Sequence, residues 1–88
     1  MFRLYGTLVK SNTIINHQTI TIDDPKMDPP TKLKRALEAL CSDLDIENPI
    51  WHSEHTKGIR QLGKAKFSKH HFIDAIEFDF FEIEIIEG

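Results

Sequence analysis

Apolar and acidic residues alternate through Ile76–Glu87, a period of two that puts the two sets on opposite faces of an extended chain. The alternation slips once, at Phe80-Phe81. Apolar positions are even before the slip (Ile76, Phe78, Phe80) and odd after it (Phe81, Ile83, Ile85). In one regular strand the slip would turn the second half onto the wrong face. A β-bulge at Phe80-Phe81 absorbs the extra residue and gathers the apolar side chains on one side, with the acids on the other. The pattern therefore predicts one long C-terminal strand over 76–87, bulged near its middle.

The same reading places elements along the rest of the chain. Phe2–Val9 mixes apolar, aromatic and β-branched residues as a strand does, with Gly6 marking a kink or a close backbone approach. Lys10-Ser11-Asn12 is a turn candidate, Thr13–Ile15 a short extended piece, and Gln18–Ile22 an alternating Thr/Ile strand, so 2–22 reads as a hairpin. Asp28 followed by Pro29 and Pro30 is a helix start, because prolines fit a first turn whose amides have no intrahelical partner. Leu33, Ala36, Leu37, Leu40, Cys41 and Leu44 then form one stripe of an amphipathic helix ending near Asp45. Asn48-Pro49 breaks the chain, and Ile50-Trp51 reads as a buried anchor. Ser53 caps a short helix to about Leu62, stopped by Gly63. Lys64–Phe67 reads as extended, and Ser68 starts a helical turn that turns Phe72, Ile73 and Ile76 inward.

Together these elements predict an α+β fold. A small antiparallel sheet, built from the N-terminal hairpin and the long C-terminal strand, packs against one amphipathic helix, with short helices or loops at 53–74. The expected core is Leu4, Leu8, Ile20, Ile22, Leu33, Leu37, Leu40, Cys41, Leu44, Trp51, Phe72, Ile76, Phe78 and Ile83. With 88 residues the chain reads as one small domain, 1–88, of a size that leaves little room for both a full core and a deep enclosed site. No apolar run is long enough to cross a membrane as a helix. Met1–Gly6 carries no secretory-signal pattern and Cys41 is the only cysteine, so a reducing cytoplasm is the expected setting.

Charge adds a polarity to this picture. The net charge of −3 divides into six acids and no Lys or Arg over 74–88, against eleven bases and eight acids over 1–73. Glu77, Asp79, Glu82 and Glu84 would form a carboxylate face, suited to a protein partner or simply solvated. Arg60, Lys64, Lys66 and Lys69, near Phe67 and Phe72, are the alternative, a nucleic-acid surface. Against it, the chain is acidic (pI ≈ 5.9) and carries no recognisable nucleic-acid motif. His52 and His55, at i and i+3, have a spacing that metal ligands use, but without a CxxC pair or HExxH they read better as partly exposed histidines of a basic segment. Cys41, on the apolar stripe, reads as a small core side chain rather than a nucleophile.

At Arg3-Leu4-Tyr5-Gly6, Asn48-Pro49-Ile50-Trp51, His71-Phe72-Ile73 and Phe78–Ile85 the chain resembles a group of short uncharacterised proteins of Firmicutes-type bacteria. The resemblance implies a stand-alone bacterial cytosolic domain and supplies no activity, cofactor or catalytic residue. The expectation that remains is a non-enzymatic interaction module, an acidic adaptor or inhibitor of a larger protein, with no cofactor.

Overall fold

Ser11 and Asn12 both adopt left-handed backbone conformations (φ 53° and 62°), the geometry of a two-residue turn whose twist matches that of the strands it joins. In the computed structural model, which describes residues 1–88, this turn links β1 (Phe2–Lys10) to β2 (Thr13–Ile22), with Lys10 opposite Thr13. The two expected pieces of the second strand are one continuous strand. Its interruption is a bulge, because Leu8 pairs with Asn16 while Val9 pairs with Ile14, leaving Ile15 as the extra residue.

The first helix, α1 (Pro29–Leu44), begins and ends where the sequence signals place it. Asp28 accepts the Thr31 amide (3.3 Å) and the Thr31 hydroxyl (2.7 Å). Asp45 closes the helix in a left-handed conformation. Its buried stripe of Ala36, Leu37, Leu40, Cys41 and Leu44 lies over β1 and β2. A Cβ at Gly6 would stand 3.0 Å from Leu40 Cδ1 and 3.1 Å from Phe81 Cε1, so glycine is what lets helix and sheet approach there.

A second helix, α2 (Ser53–Leu62), ends at Gly63, whose φ of 68° suits a residue without Cβ. The chain then forms β3 (Lys64–Ser68), a short 3-10 turn over Lys69–His71, and finally β4 (Phe80–Glu87). All four strands pair antiparallel in the order β2-β1-β4-β3, so the fold is α+β as expected. β4 is a central strand, flanked by β1 and β3, and both helices cover the same face of the sheet.

The terminal strand corrects one expectation. It begins at Phe80, and Ile76–Asp79 is an irregular segment leading into it, not its first half. Asp79 sets the entry point, since its amide donates to the Val9 carbonyl (2.8 Å) and its Oδ2 accepts the Ser11 amide (2.7 Å). No bulge is then needed at Phe80-Phe81. Phe80 faces outward, where the Lys66 ammonium sits 4.3 Å from its ring centroid, and Phe81 faces the core. The register irregularity lies at the far end instead, where Leu4 pairs with Ile85 but Arg3 pairs with Glu87.

The core also departs from the expected set. Phe2, Ala36, Ala65, Phe67 and Phe81 are buried beside Leu4, Leu40 and Ile83, whereas Ile20, Ile22, Leu33, Trp51, Ile76 and Phe78 are only partly covered. Ile73, expected to turn inward, is 82% exposed. The 3-10 turn ends at His71, so Phe72 alone of that segment enters the core.

Candidate functional site

α2 is poor in large apolar residues, and what holds it is polar and local to β3. A Cβ on Gly58 would collide with the Lys64 carbonyl, so this helix lies unusually close to the start of β3. His55 ties the same helix to the Lys66 carbonyl through its Nε2 (3.0 Å). With α1 over β1 and β2 and α2 beside β3, a groove of about 740 Å³ opens between the helices, in the range of ligand sites. Phe2 and Ile85 floor it, Leu33 and Leu37 line one wall, and Ile59 and Trp51 line the other. Trp51 is held in place by an Nε1–H bond to Thr56 Oγ1 (2.8 Å) and by tilted contacts with His55 and Phe67. Lys34 on one lip and Arg60 on the other have no ion-pair partner, and Glu38 is the one acid in the lining.

Behind Trp51 lies a histidine cluster. His55 is 1% exposed, stacks on Phe67 (centroids 4.1 Å apart) and meets the His71 ring edge-on at 4.5 Å. Its Nδ1 accepts the His52 amide (2.8 Å) at the start of α2. His71 repeats the device, accepting the Ser68 amide (2.9 Å) at the start of the 3-10 turn. Each histidine occupies the place that Glu or Gln takes in a capping box. The spacing that suggested metal ligands at His52 and His55 is thus the spacing of a cap.

These bonds fix the tautomers. A backbone amide can only donate, so Nδ1 of each ring carries the lone pair and Nε2 carries the proton. His55 Nε2–H donates to the Lys66 carbonyl, and His71 Nε2–H to Glu54 Oε1 (3.0 Å). Burial pushes the His55 pKa below its ordinary 6.5, only partly opposed by the bond to Lys66. The bond from His71 is the main cause holding the exposed Glu54 carboxyl below its usual range.

The ligand atoms of His52, Glu54 and His71 lie within 4.8 Å of one another, close enough to suggest a metal centre. The bonding pattern argues against it. A ligating imidazole offers one lone pair to the ion and its other N–H to an acceptor. His71 faces a donor at Nδ1 and bears its proton at Nε2, so it has no lone pair free, and His55 is committed in the same way. Ser68 Oγ at 3.4 Å from His71 Nδ1, with Glu54 across the ring, also has the order of a nucleophile, base and acid. The Nδ1 lone pair already takes the Ser68 amide, so it cannot also receive the hydroxyl proton. Both arrangements act here as caps. Cys41 offers no alternative nucleophile, since burial pushes its thiol up to about 12.

The acidic residues do not form one surface. Glu82 and Glu84 face outward from β4 opposite Lys66 and Lys64 of β3, and Glu84 reaches Lys64 Nζ at 4.0 Å. Asp79 is occupied at the Ser11 turn, and Glu77 stands exposed on the irregular segment. The basic candidates are divided too. Lys64 and Lys66 lie on the outer sheet face among these acids, Arg60 sits at the groove on the opposite face, and Lys69 is in the 3-10 turn.

Sequence reasoning missed the groove, because a gap between two helices has no residue of its own. The nearest signal was the poverty of α2 in apolar residues. Ser68 caps its turn as expected, but the cap of α2 is His52 and not Ser53. The part of His55 and His71 in both caps was missed, though the repeated offset of His52 to His55 and Ser68 to His71 was its signal. Comparison with family models, curated proteins and solved structures finds nothing that the chain matches. No helix is long and apolar enough to cross a membrane.

Proposed function

We propose that this protein is a non-enzymatic interaction module that holds an apolar, acid-flanked segment of a larger protein in the groove between α1 and α2. The observation that carries this reading is the groove itself, an apolar channel with Trp51 in its wall and an unpaired cation on each lip, Lys34 and Arg60, against a single lining acid, Glu38. An amphipathic segment would set its apolar side on Phe2, Leu33, Ile59 and Ile85, and its acids against the lips. The carboxylates of β4 are less suited to capture a partner. β4 has no free edge, and Glu82 and Glu84 already face lysines. A bacterial cytosolic setting, implied by the resemblance above, accords with the free buried Cys41.

Trp51 is the sole tryptophan, so its emission reports occupation of the groove. The probes are a synthetic amphipathic peptide with Leu at helical spacing and Glu flanks, the same peptide with Lys flanks, and a single-stranded oligonucleotide. The Glu-flanked peptide is expected to shift Trp51 emission saturably and to bind roughly ten-fold more tightly than the Lys-flanked one. Ile59→Glu is expected to abolish that binding with the fold intact by circular dichroism. No saturable response to either peptide would sink the reading. Salt-sensitive binding of the oligonucleotide, lost on changing Arg60, Lys64, Lys66 and Lys69 to Gln, would replace it with the nucleic-acid alternative.

A further inference from the structure

The two edges of the sheet are built differently. β3 is five residues long and carries Lys64 and Lys66, the length and charge that discourage a strand from adding to another sheet. β2, the opposite edge, is ten residues long and contains no Lys, Arg, Asp, Glu or Pro, in a chain of which 28% is charged. Thr13–Thr19 are all exposed, including Ile14 and Ile15, which are 55% and 53% exposed. The bulge at Ile15 disturbs only the turn end of the strand, and from Asn16 to Ile22 the register with β1 is unbroken.

The outward-facing amides of this regular stretch are also identifiable. His17 N–H is met by Asn16 Oδ1 (2.9 Å) and Thr19 N–H by Gln18 Oε1 (3.1 Å), each the side chain of the preceding residue. These amides point away from β1, and their local acceptors are exposed side chains that an incoming backbone carbonyl can displace.

We propose that β2 pairs antiparallel with β2 of a second copy of this chain, about a two-fold axis at Thr19, joining the two four-stranded sheets into one. An axis at Thr19 sets that residue against Thr19 of the second copy and His17 against its Thr21, so the outward amides meet outward carbonyls. Self-pairing is what an uncharged strand permits, because any charge near the axis would face its own copy. A charged partner strand, by contrast, would find nothing on β2 to read. The inference is independent of the groove, which lies toward the other side of the sheet between α1 and α2.

Sedimentation equilibrium across micromolar to millimolar concentration tests it. The wild-type chain is expected to dimerise reversibly, with the β2 amides gaining hydrogen-exchange protection as concentration rises. Thr19→Lys puts one exposed ammonium on the monomer but two facing ammoniums in the dimer. It should weaken dimerisation about ten-fold at low salt, leave circular dichroism and Trp51 emission unchanged, and pair preferentially with Thr19→Glu when the two are mixed. Thr19→Pro removes the outward N–H, and if that variant misfolds, the lysine and glutamate variants carry the test alone. A monomer at every concentration would overturn the proposal. A dimer indifferent to both Thr19→Lys and Thr19→Glu, or one lost only on Ile59→Glu, would overturn it equally.

Discussion

The imidazole of His55 has both nitrogens committed, Nδ1 to the His52 amide and Nε2 to the Lys66 carbonyl. A second proton would have to enter at Nδ1, where it would face a donor and displace the cap. The folded pKa therefore lies below the ordinary 6.5, with burial as the leading cause. The sign follows from linkage. Above about 6.5 the ring is neutral both folded and unfolded, and its contribution to stability is complete. As pH falls below that value the unfolded chain takes up the proton first, and stability declines toward the depressed folded pKa. Urea unfolding of the wild type is expected to show this decline between neutral and mildly acid pH. His55→Gln, which can still accept the His52 amide and donate to Lys66, should flatten it. A decline of unchanged size in that variant would assign the effect elsewhere. Asp28 and Glu54, with their folded pKa values lowered, lose their contributions only at more acid pH, as each falls through its own folded value.

Gly58 determines where α2 can lie. A methyl group there meets a backbone carbonyl of Lys64, which has no rotamer to move aside. In most helix interiors Gly→Ala adds stability through propensity, by up to about 1 kcal/mol. Here the sign should reverse, with Gly58→Ala destabilising by roughly 1–3 kcal/mol as α2 is pushed off β3. Denaturant titration checks it, and a stabilised variant would show that α2 can shift freely. The elements also differ in how openly the sequence declared them. α1 was fully legible, because cap, prolines and apolar stripe all agree over sixteen residues. β3 is five residues of alternating Lys and apolar side chains, too short for its period to identify a partner. Ile76–Asp79 misled for a physical reason. Ile76 and Phe78 rest on the core from an irregular segment, so the period of two continues past the end of the strand. The histidine spacing was visible, but whether an imidazole caps or ligates depends on which nitrogen meets a backbone amide, and spacing does not carry that.

Across the whole molecule, the charge polarity seen in the sequence is largely resolved within the outer sheet face. Lys64 and Lys66 of β3 lie opposite Glu84 and Glu82 of β4, while Arg3 Nε lies 3.3 Å from Glu87. Such exposed pairs contribute little each, about 0–1 kcal/mol. Their arrangement matters more when reversed. Changing Glu82 and Glu84 together to Lys would set four ammonium groups side by side, destabilising the fold on the order of 1 kcal/mol, with recovery at high salt. Thermal melts at low and high ionic strength measure it. If the groove is the docking surface, the same double variant should bind the Glu-flanked peptide as the wild type does. A loss of binding with the fold intact would return the function to the acidic face.

The central place of β4 has a consequence for how the chain reaches this structure. β1 and β3 share no hydrogen bonds with each other; both pair with β4, Phe80–Glu87, which follows the other three strands in the sequence. During synthesis the β1–β2 hairpin can close early across its two-residue turn, but Leu4 and Leu8 stay bare until α1 covers them, and the outer edge of β1 stays unpaired after that. The sheet is completed by a loop closure spanning nearly the whole sequence, the kind of long-range step that slows folding. Until that closure the uncharged edge of β2 and the unpaired opposite edge of β1 are presented together, so the nascent chain is most vulnerable to association just before β4 inserts.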